Sequence, residues 1–156
     1  MRKPPMPITY HIQKTGQVTY LAKKQDDRWI AIDVRLSTVD ALGPLRVGVP
    51  LIADLDIHTI DPTGLIEATD ATPFQKSVWT AITQIKPGET VSYAVLAAQV
   101  GRPRAFRAVA NACGANRYAG VIPCHRVVGS DGKLGGYRWG PPTKAILLAA
   151  EKLSPR

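Results

Sequence analysis

The stretch TPFQKSVWTAITQIKPGETVSYAVLAAQVGRPRAFRAVANACGAN, residues 72–116, decides the fold. It opens on Thr72-Pro73-Phe74-Gln75. Thr at an N-cap, Pro with its φ pre-set at the first helical position and Gln three residues after the cap make a capping box. Phe74, Val78, Ile82 and Ile85 then recur on one face at helical spacing, the stripe a helix needs to bury. Lys86-Pro87-Gly88 stops that helix. A second helix is expected after Ser92, through Ala94, Leu96, Ala97 and Val100, ending at Gly101. Arg102-Pro103 opens a third, about Arg104 to Cys113, closed by Gly114 and Asn116. Two helices joined by a short Gly-containing turn form a helix-turn-helix candidate. Ala105, Ala108, Ala110 and Ala112 leave the third helix with little bulk, which suits close approach to another backbone or to a duplex. An αα-hairpin packed inside a core accounts for the same letters.

Towards the N-terminus the period changes. Ile8 to Gln13 and Val18 to Ala22 flank a Lys14-Thr15-Gly16-Gln17 turn, and Trp29 to Val34 reads as a third short strand. From Leu36 to Asp70 the chain is punctuated by Gly43-Pro44, Val49-Pro50 and Asp61-Pro62-Thr63-Gly64, and no element is read there. Beyond Asn116 comes a short apolar segment, Ala119 to Val128, interrupted by polar and reactive groups. Gly129 to Gly136 is a turn-rich loop, and Pro141-Pro142-Thr143 caps a last helix from Lys144 to about Leu153. The fold class expected is α+β. A small β-rich N-terminal domain covers residues 1–70, and a helical domain carrying the helix-turn-helix covers 71–156.

The charge is divided unevenly between these parts. Residues 1–73 hold 8 Lys/Arg against 9 Asp/Glu, a net of −1, while residues 74–156 hold 12 against 3, a net of +9. The basic excess of the helical half suits a polyanionic partner, although a solvated basic face gives the same count. No stretch approaches the ~18 apolar residues of a membrane helix. Pro4, Pro5 and Pro7 break any signal-peptide-like run near Met1. A cytoplasmic protein with no membrane partner is expected. Cys113 and Cys124 have neither a metal-ligand spacing nor the numbers of a disulfide framework, so at least one free thiol is expected.

Cys124 is the first chemical candidate. A thiol needs activation to become a nucleophile, and His125 is its neighbour. On a regular strand the two side chains would point apart, but Pro123 breaks regularity just before them and allows both to reach one site. A small buried core residue is the competing reading. Glu151 shares a helical stripe with Lys144, Leu147 and Leu148. A carboxylate on that face needs a partner such as His125, unless it sits at the solvated edge. Cys113 reads as a packing residue, and Arg107 as a phosphate contact or a surface charge.

Pro123-Cys124-His125-Arg126-Val127 resembles the signature of the O6-alkylguanine-DNA alkyltransferase family, the methylated-DNA–protein-cysteine methyltransferases. Family-like blocks accompany it in order. They are Phe74-Gln75 with Val78-Trp79, Gly88-Glu89-Thr90-Val91-Ser92-Tyr93, Arg107-Ala108-Val109 with Asn116, and Gly135 to Trp139. The likeness covers roughly residues 72–152, and the Gly136–Gly140 run is most like the bacterial members.

The resemblance implies a ribonuclease-H-like N-terminal fold and a winged-helix-like C-terminal domain. It implies Cys124 as alkyl acceptor, His125 as the base reaching it through a water, and Glu151 as the carboxylate orienting that base. Asn116 would tie the helix-turn-helix to the active-site segment, and Lys144 would stand near the cysteine. Tyr93 would crowd the target phosphate and serve at the reacting centre. Arg107 would fill the gap left by a flipped base, with Ala105, Ala108, Ala110, Arg104 and Ser130 also against DNA. Tyr137, Arg138, Val127 and Gly135 would line the guanine pocket.

The function so implied is direct-reversal DNA repair. An alkyl group moves once, irreversibly, from O6-alkylguanine in duplex DNA to Cys124 after base flipping, with O4-alkylthymine left open. The partner implied is alkylated double-stranded DNA, engaged by a monomer with no obligate protein partner and held at the nucleoid through DNA. No cofactor is expected. No metal is expected either, since relatives that hold zinc in the N-terminal domain use Cys and His, and residues 1–70 contain no Cys.

Overall fold

The computed structural model describes residues 4–43, 45 and 48–153. Three strands form an antiparallel meander: β1 (Thr9–Thr15), β2 (Val18–Gln25) and β3 (Arg28–Arg35). The expected strands are all present: β1 loses Ile8 at its start and gains two residues at its end, β2 gains three at its end, and β3 gains one at each end. The β2–β3 turn is made by Asp26 and Asp27 with φ of 50° and 61°. Two left-handed residues in succession give the turn whose twist matches the flanking strands.

The region without a readable signal holds four short elements. Helix α1 (Thr38–Leu42) is capped by Ser37, whose hydroxyl accepts from the Asp40 amide at 3.1 Å. Strand β4 (Leu51–Ile52) pairs parallel to β1, giving the order β3-β2-β1-β4. A 3₁₀ turn follows at Ile57–Thr59. Asp61-Pro62-Thr63-Gly64, taken from sequence as punctuation, is instead the start of helix α2 (Pro62–Ala68). The Asp61 carboxylate accepts from the Thr63 and Gly64 amides at 3.1 and 3.2 Å. Pro62, which has no amide hydrogen to satisfy, takes the first position.

Helix α3 (Pro73–Thr83) begins with both bonds of its capping box made: Gln75 N to Thr72 Oγ1 at 3.1 Å and Thr72 N to Gln75 Oε1 at 3.0 Å. Strand β5 (Val91–Ser92) leads into α4 (Tyr93–Gln99), where Ser92 caps the Val95 amide at 3.0 Å. Helix α5 (Phe106–Ala115) starts two residues later than its letters suggest. The backbone of 102–105 is spent on a turn, with Arg102 N bonded to Ala97 O and Ala105 N to Arg102 O, both at 2.9 Å. Strand β6 (Val127–Val128) pairs parallel to β5. Helix α6 (Pro141–Leu153) starts at Pro141, ahead of the expected Lys144, because the first helical turn has no use for the amides that two prolines lack.

One buried apolar cluster runs from Val18, Tyr20 and Ile32 through Trp79 and Val109 to Ile122, Val127, Trp139 and Leu147. The strand-rich and helical parts are joined by backbone as well. Ile32 N bonds Arg117 O at 2.8 Å and Ala119 N bonds Ile32 O at 2.9 Å, so the segment after α5 lies against β3. Trp139 Nε1 adds a bond to Asp33 Oδ1 at 3.0 Å, and Trp79 Nε1 ties α3 to the Ala112 carbonyl of α5 at 2.8 Å. The chain between α5 and β6 is therefore fixed from both sides.

Candidate active site

Pro123 shapes this segment. With φ −81° and ψ 63° it centres an inverse γ-turn, in which Cys124 N donates to Ile122 O at 2.8 Å. A 3₁₀ turn over Cys124–Arg126 follows. At three residues per turn, neighbouring side chains leave about 120° apart rather than on opposite faces. Cys124 and His125 are both buried, at 5% and 2% exposure.

Asn116, fully buried at the C-cap of α5, binds this segment at three points. Its Nδ2 donates to Ile122 O at 2.9 Å and to Cys124 Sγ at 3.2 Å, and its Oδ1 accepts from Tyr118 N at 2.8 Å. An amide hydrogen on the sulfur favours negative charge there. Lys144 lies wholly inside the protein, donating to Val127 O at 2.6 Å and Gly136 O at 3.0 Å. Its charge also draws the Cys124 thiol down, yet burial prevails and pushes that thiol well above its ordinary value. The resting sulfur is a protonated thiol.

His125 follows Cys124 in the chain. His125 Nε2 is hydrogen-bonded to Glu151 Oε1. Burial alone would raise the Glu151 carboxyl, but hydrogen bonds from His125 and Arg126 outweigh it and hold the group at about 2. Arg126 grips both carboxylate oxygens at 3.0 to 3.1 Å and reaches Ile85 O at 2.7 Å, while the Gly88 amide adds a bond at 3.0 Å. Burial lowers the His125 pKa, so the ring is neutral at pH 7. An ionised carboxylate takes the Nε2 hydrogen and leaves Nδ1 as the acceptor. Among the described residues Nδ1 has no hydrogen-bond partner, and neither does the buried Tyr137 hydroxyl.

In front of the sulfur is a cavity of about 390 Å³ lined by Tyr93, Ala110, Cys113, Gly114, Cys124, Gly136, Tyr137 and Arg138. Burial pushes the Tyr93 hydroxyl up to about 12, so it stays a proton donor. Two residues expected at the pocket do not line this cavity. Val127 is buried in β6, contributing only its carbonyl to Lys144, and Gly135 lies behind Tyr93, whose hydroxyl would be 3.1 Å from a Cβ placed there. Arg138 is held to the Gly114 carbonyl at 3.0 Å.

Ala110, Cys113 and Gly114 of α5 form one wall of the cavity. Arg107, one turn before Ala110 on the same helix, is exposed, as are Ala108 and Asn111, with Arg104 exposed in the preceding turn and Ala105 at the N-cap. Ser130 is exposed in the 129–136 loop. The sequence reading left three participants without a part. Arg126 was detectable as a charge inside an apolar run, which demands a partner. From its sequence context Cys113 reads only as packing. The Gly88 amide carried no signal.

These observations stand beside four likenesses. The family described as "6-O-methylguanine DNA methyltransferase, DNA binding domain" matches residues 73–153. The regulatory protein Ada of Salmonella typhimurium is 62% identical over 80 residues, 51% of this chain and 23% of that protein. A methylated-DNA--protein-cysteine methyltransferase of Methanosarcina barkeri is 52% identical over 85 residues, 54% of each chain. The chain thus matches about half the length of the one relative and under a quarter of the other. The crystal structure of the Mycobacterium tuberculosis protein OGT in complex with DNA superposes with a TM-score of 0.68 at 30% identity, covering 93% of both chains. Among the described residues no helix is long and apolar enough to cross a membrane. With the family's DNA-binding domain spanning more than half of its length, this chain belongs to the 6-O-methylguanine DNA methyltransferase family.

Proposed function

We propose that the protein repairs alkylated double-stranded DNA by moving the alkyl group from O6 of guanine onto Cys124 in a single displacement. The observation that carries this is a buried thiol at the wall of a cavity, backed by a neutral His125 whose Nδ1 is unengaged. O6 is inaccessible in a stacked duplex, so the nucleotide leaves the stack before reaction. Arg107, on the solvent side of α5, enters the gap, while Ala105, Ala108 and Ala110 let the helix approach closely. Arg104 and Ser130 meet backbone phosphates. His125 takes the thiol proton through a water, with Glu151 and Arg126 stabilising the charge that the ring acquires. The Sγ–C bond forms as the O6–C bond breaks, and Tyr93 supplies the proton to the departing guanine. Tyr137 and Arg138 line the space for the base, and Val127 and Gly135 support it indirectly, through the Val127 carbonyl on Lys144 and the packing of Gly135 against Tyr93. The thioether is stable, so each molecule reacts once. The homologue crystallised with DNA and the basic charge of residues 74–156 support the partner.

The reading extends to the whole chain. Residues 1–70 form a ribonuclease-H-like domain, a reading supported by the β3-β2-β1-β4 order with one parallel edge. Residues 71–156 form a winged-helix-like unit. The protein acts as a cytoplasmic monomer without a cofactor or an obligate protein partner.

Mass analysis after mixing with O6-methylguanine duplex tests the reaction. Trypsin isolates residues 118–126, which contain Cys124 alone of the two cysteines, and that peptide should gain one methylene. Binding without added mass would reduce the protein to a DNA-binding module. Arg107→Ala should slow repair of duplex about tenfold or more, on the scale of the unstacking energy it offsets. Its reaction with free O6-benzylguanine should hold at the parent rate. Equal losses on both substrates would remove Arg107 from base flipping.

A further inference from the structure

The alkyl-transfer chemistry uses one sulfur, and the cavity holds two. Cys113 lines it together with Cys124, and both are free thiols. Cys113 lies on the buried face of the last turn of α5, between Ala110 and Gly114, which line the same cavity. Asn116 connects the two positions. Its backbone amide donates to Cys113 O at 3.2 Å while its side-chain amide donates to Cys124 Sγ at 3.2 Å. The sulfurs are near enough that each alters the proton affinity of the other, and the Lys144 charge acts on both. A packing role at this spot would be met by alanine or valine, neither of which carries a sulfur into a reactive site.

We propose that Cys113 is the resolving partner of Cys124: when a peroxide oxidises the site, the two close a reversible Cys113–Cys124 disulfide that preserves the acceptor sulfur. One thiol attacks the peroxide, forming an S–O bond as the O–O bond breaks and releasing one water. The second thiol then attacks the sulfenic sulfur, forming the S–S bond and releasing the other oxygen as a second water. Two thiols and one peroxide thus give one disulfide and two waters. Either sulfur can be oxidised first, since the product is the same. Interaction with Cys124 draws the Cys113 thiol below its ordinary value, whereas burial raises Cys124. Capture of a sulfenic acid proceeds through a thiolate, a form that a lowered Cys113 thiol reaches more readily than an ordinary one. Without a second sulfur, sulfenic acid proceeds to sulfinic and sulfonic acids, which thiols do not reverse. The functional consequence rests on the reading of Cys124 as alkyl acceptor: the disulfide form accepts no alkyl group until a dithiol reduces it.

The two cysteines fall in separate tryptic peptides, residues 108–117 and 118–126. The full chain is treated with hydrogen peroxide without DNA, alkylated to block free thiols and digested. The expected result is the two peptides joined, two hydrogens lighter than their sum, and separated by dithiothreitol. Alkyl acceptance, measured against each protein's own unoxidised value, should be lost with peroxide and regained with dithiothreitol. In Cys113→Ser and Cys113→Ala the 118–126 peptide should gain two or three oxygens, and dithiothreitol should restore nothing. Separate peptides in the wild-type protein, oxidised or not, overturn the proposal whatever the variants do. So does full recovery of either variant after reduction. Because the cross-link is read by mass with no DNA present, a protein that never accepts an alkyl group can still pass or fail this test.

Discussion

Among the described residues there are two histidine–carboxylate pairs, one in the sheet and one in the candidate active site. His11, on β1, has both nitrogens engaged: Nδ1 with Asp54 Oδ1 at 2.7 Å and Nε2 with Thr9 Oγ1 at 2.9 Å. Its ring stands edge-on to Trp29 at 5.1 Å, and the Asp54 side chain is 64% exposed. His125 has one nitrogen engaged. Its carboxylate is only 15% exposed and is held by Arg126 and the Gly88 amide as well. Both rings are buried, and both pairs look alike as contacts. The difference is what each leaves over. A histidine with no unengaged nitrogen and a solvated partner clasps β1 to the loop after β4. A histidine with one unengaged nitrogen, beside a thiol and backed by a dry ion pair, can take a proton.

Removing each ring is the most severe test of that contrast. His125→Ala should lower the rate of alkyl transfer by about 10²–10⁴-fold, the usual contribution of a positioned base. His11→Ala should leave the rate per folded molecule unchanged. Single-turnover transfer to an O6-methylguanine duplex measures both. A comparable loss in the two variants would mean that His125, too, only holds structure.

The carboxylates separate the pairs next. Glu151→Gln leaves Arg126 without its anion in a partly buried setting, a cost of about 3 kcal/mol. For a chain of this size that corresponds to a melting point lower by roughly 6–12 °C. Asp54→Asn, at a solvated partner, should shift the melting point far less, as exposed ion pairs generally do. Calorimetry on the two variants gives the order directly, and a larger shift for Asp54→Asn would reverse the comparison.

The site pair was the more legible of the two, for physical reasons. The stripe Lys144, Leu147, Leu148 and Glu151 is set by helical periodicity, and an acidic residue on an inward face requires a partner. The Thr72–Gln75 box was equally local, and its letters fix the start of α3. His11 and Asp54 lie on a strand and in a loop, with no periodicity linking them, so nothing local announces their pairing. Helix α2 escaped notice because Asp-Pro-Thr-Gly serves a turn as well as an N-cap, and two turns of helix carry too few apolar positions to decide between them. The contact of Trp139 with Asp33 depends on how β3 meets the segment after α5, which no window of sequence contains. For Cys113 the burial was readable, but the cavity it shares with Cys124 was not.

Acidity offers the subtlest separation. The folded pKa of His125 lies below its ordinary 6.5, chiefly through burial. The unfolded chain therefore binds a proton at this position before the folded one does, and stability from His125 is full above pH 6.5 and declines as pH falls through and below that value. Glu151, lowered from 4.5 to about 2, adds a second decline between those two values. Its loss is complete only below the folded value. The wild-type melting point should thus begin to fall between pH 7 and pH 5, above the interval in which Glu151 contributes. His125→Gln, which cannot take up that proton, should be flat over the same interval and fall only in the carboxylate range. A wild-type curve as flat as that of His125→Gln from pH 7 to pH 5 would mean that the folded ring protonates as readily as the unfolded one. The dry, neutral histidine that distinguishes the active-site pair would then be lost from the comparison.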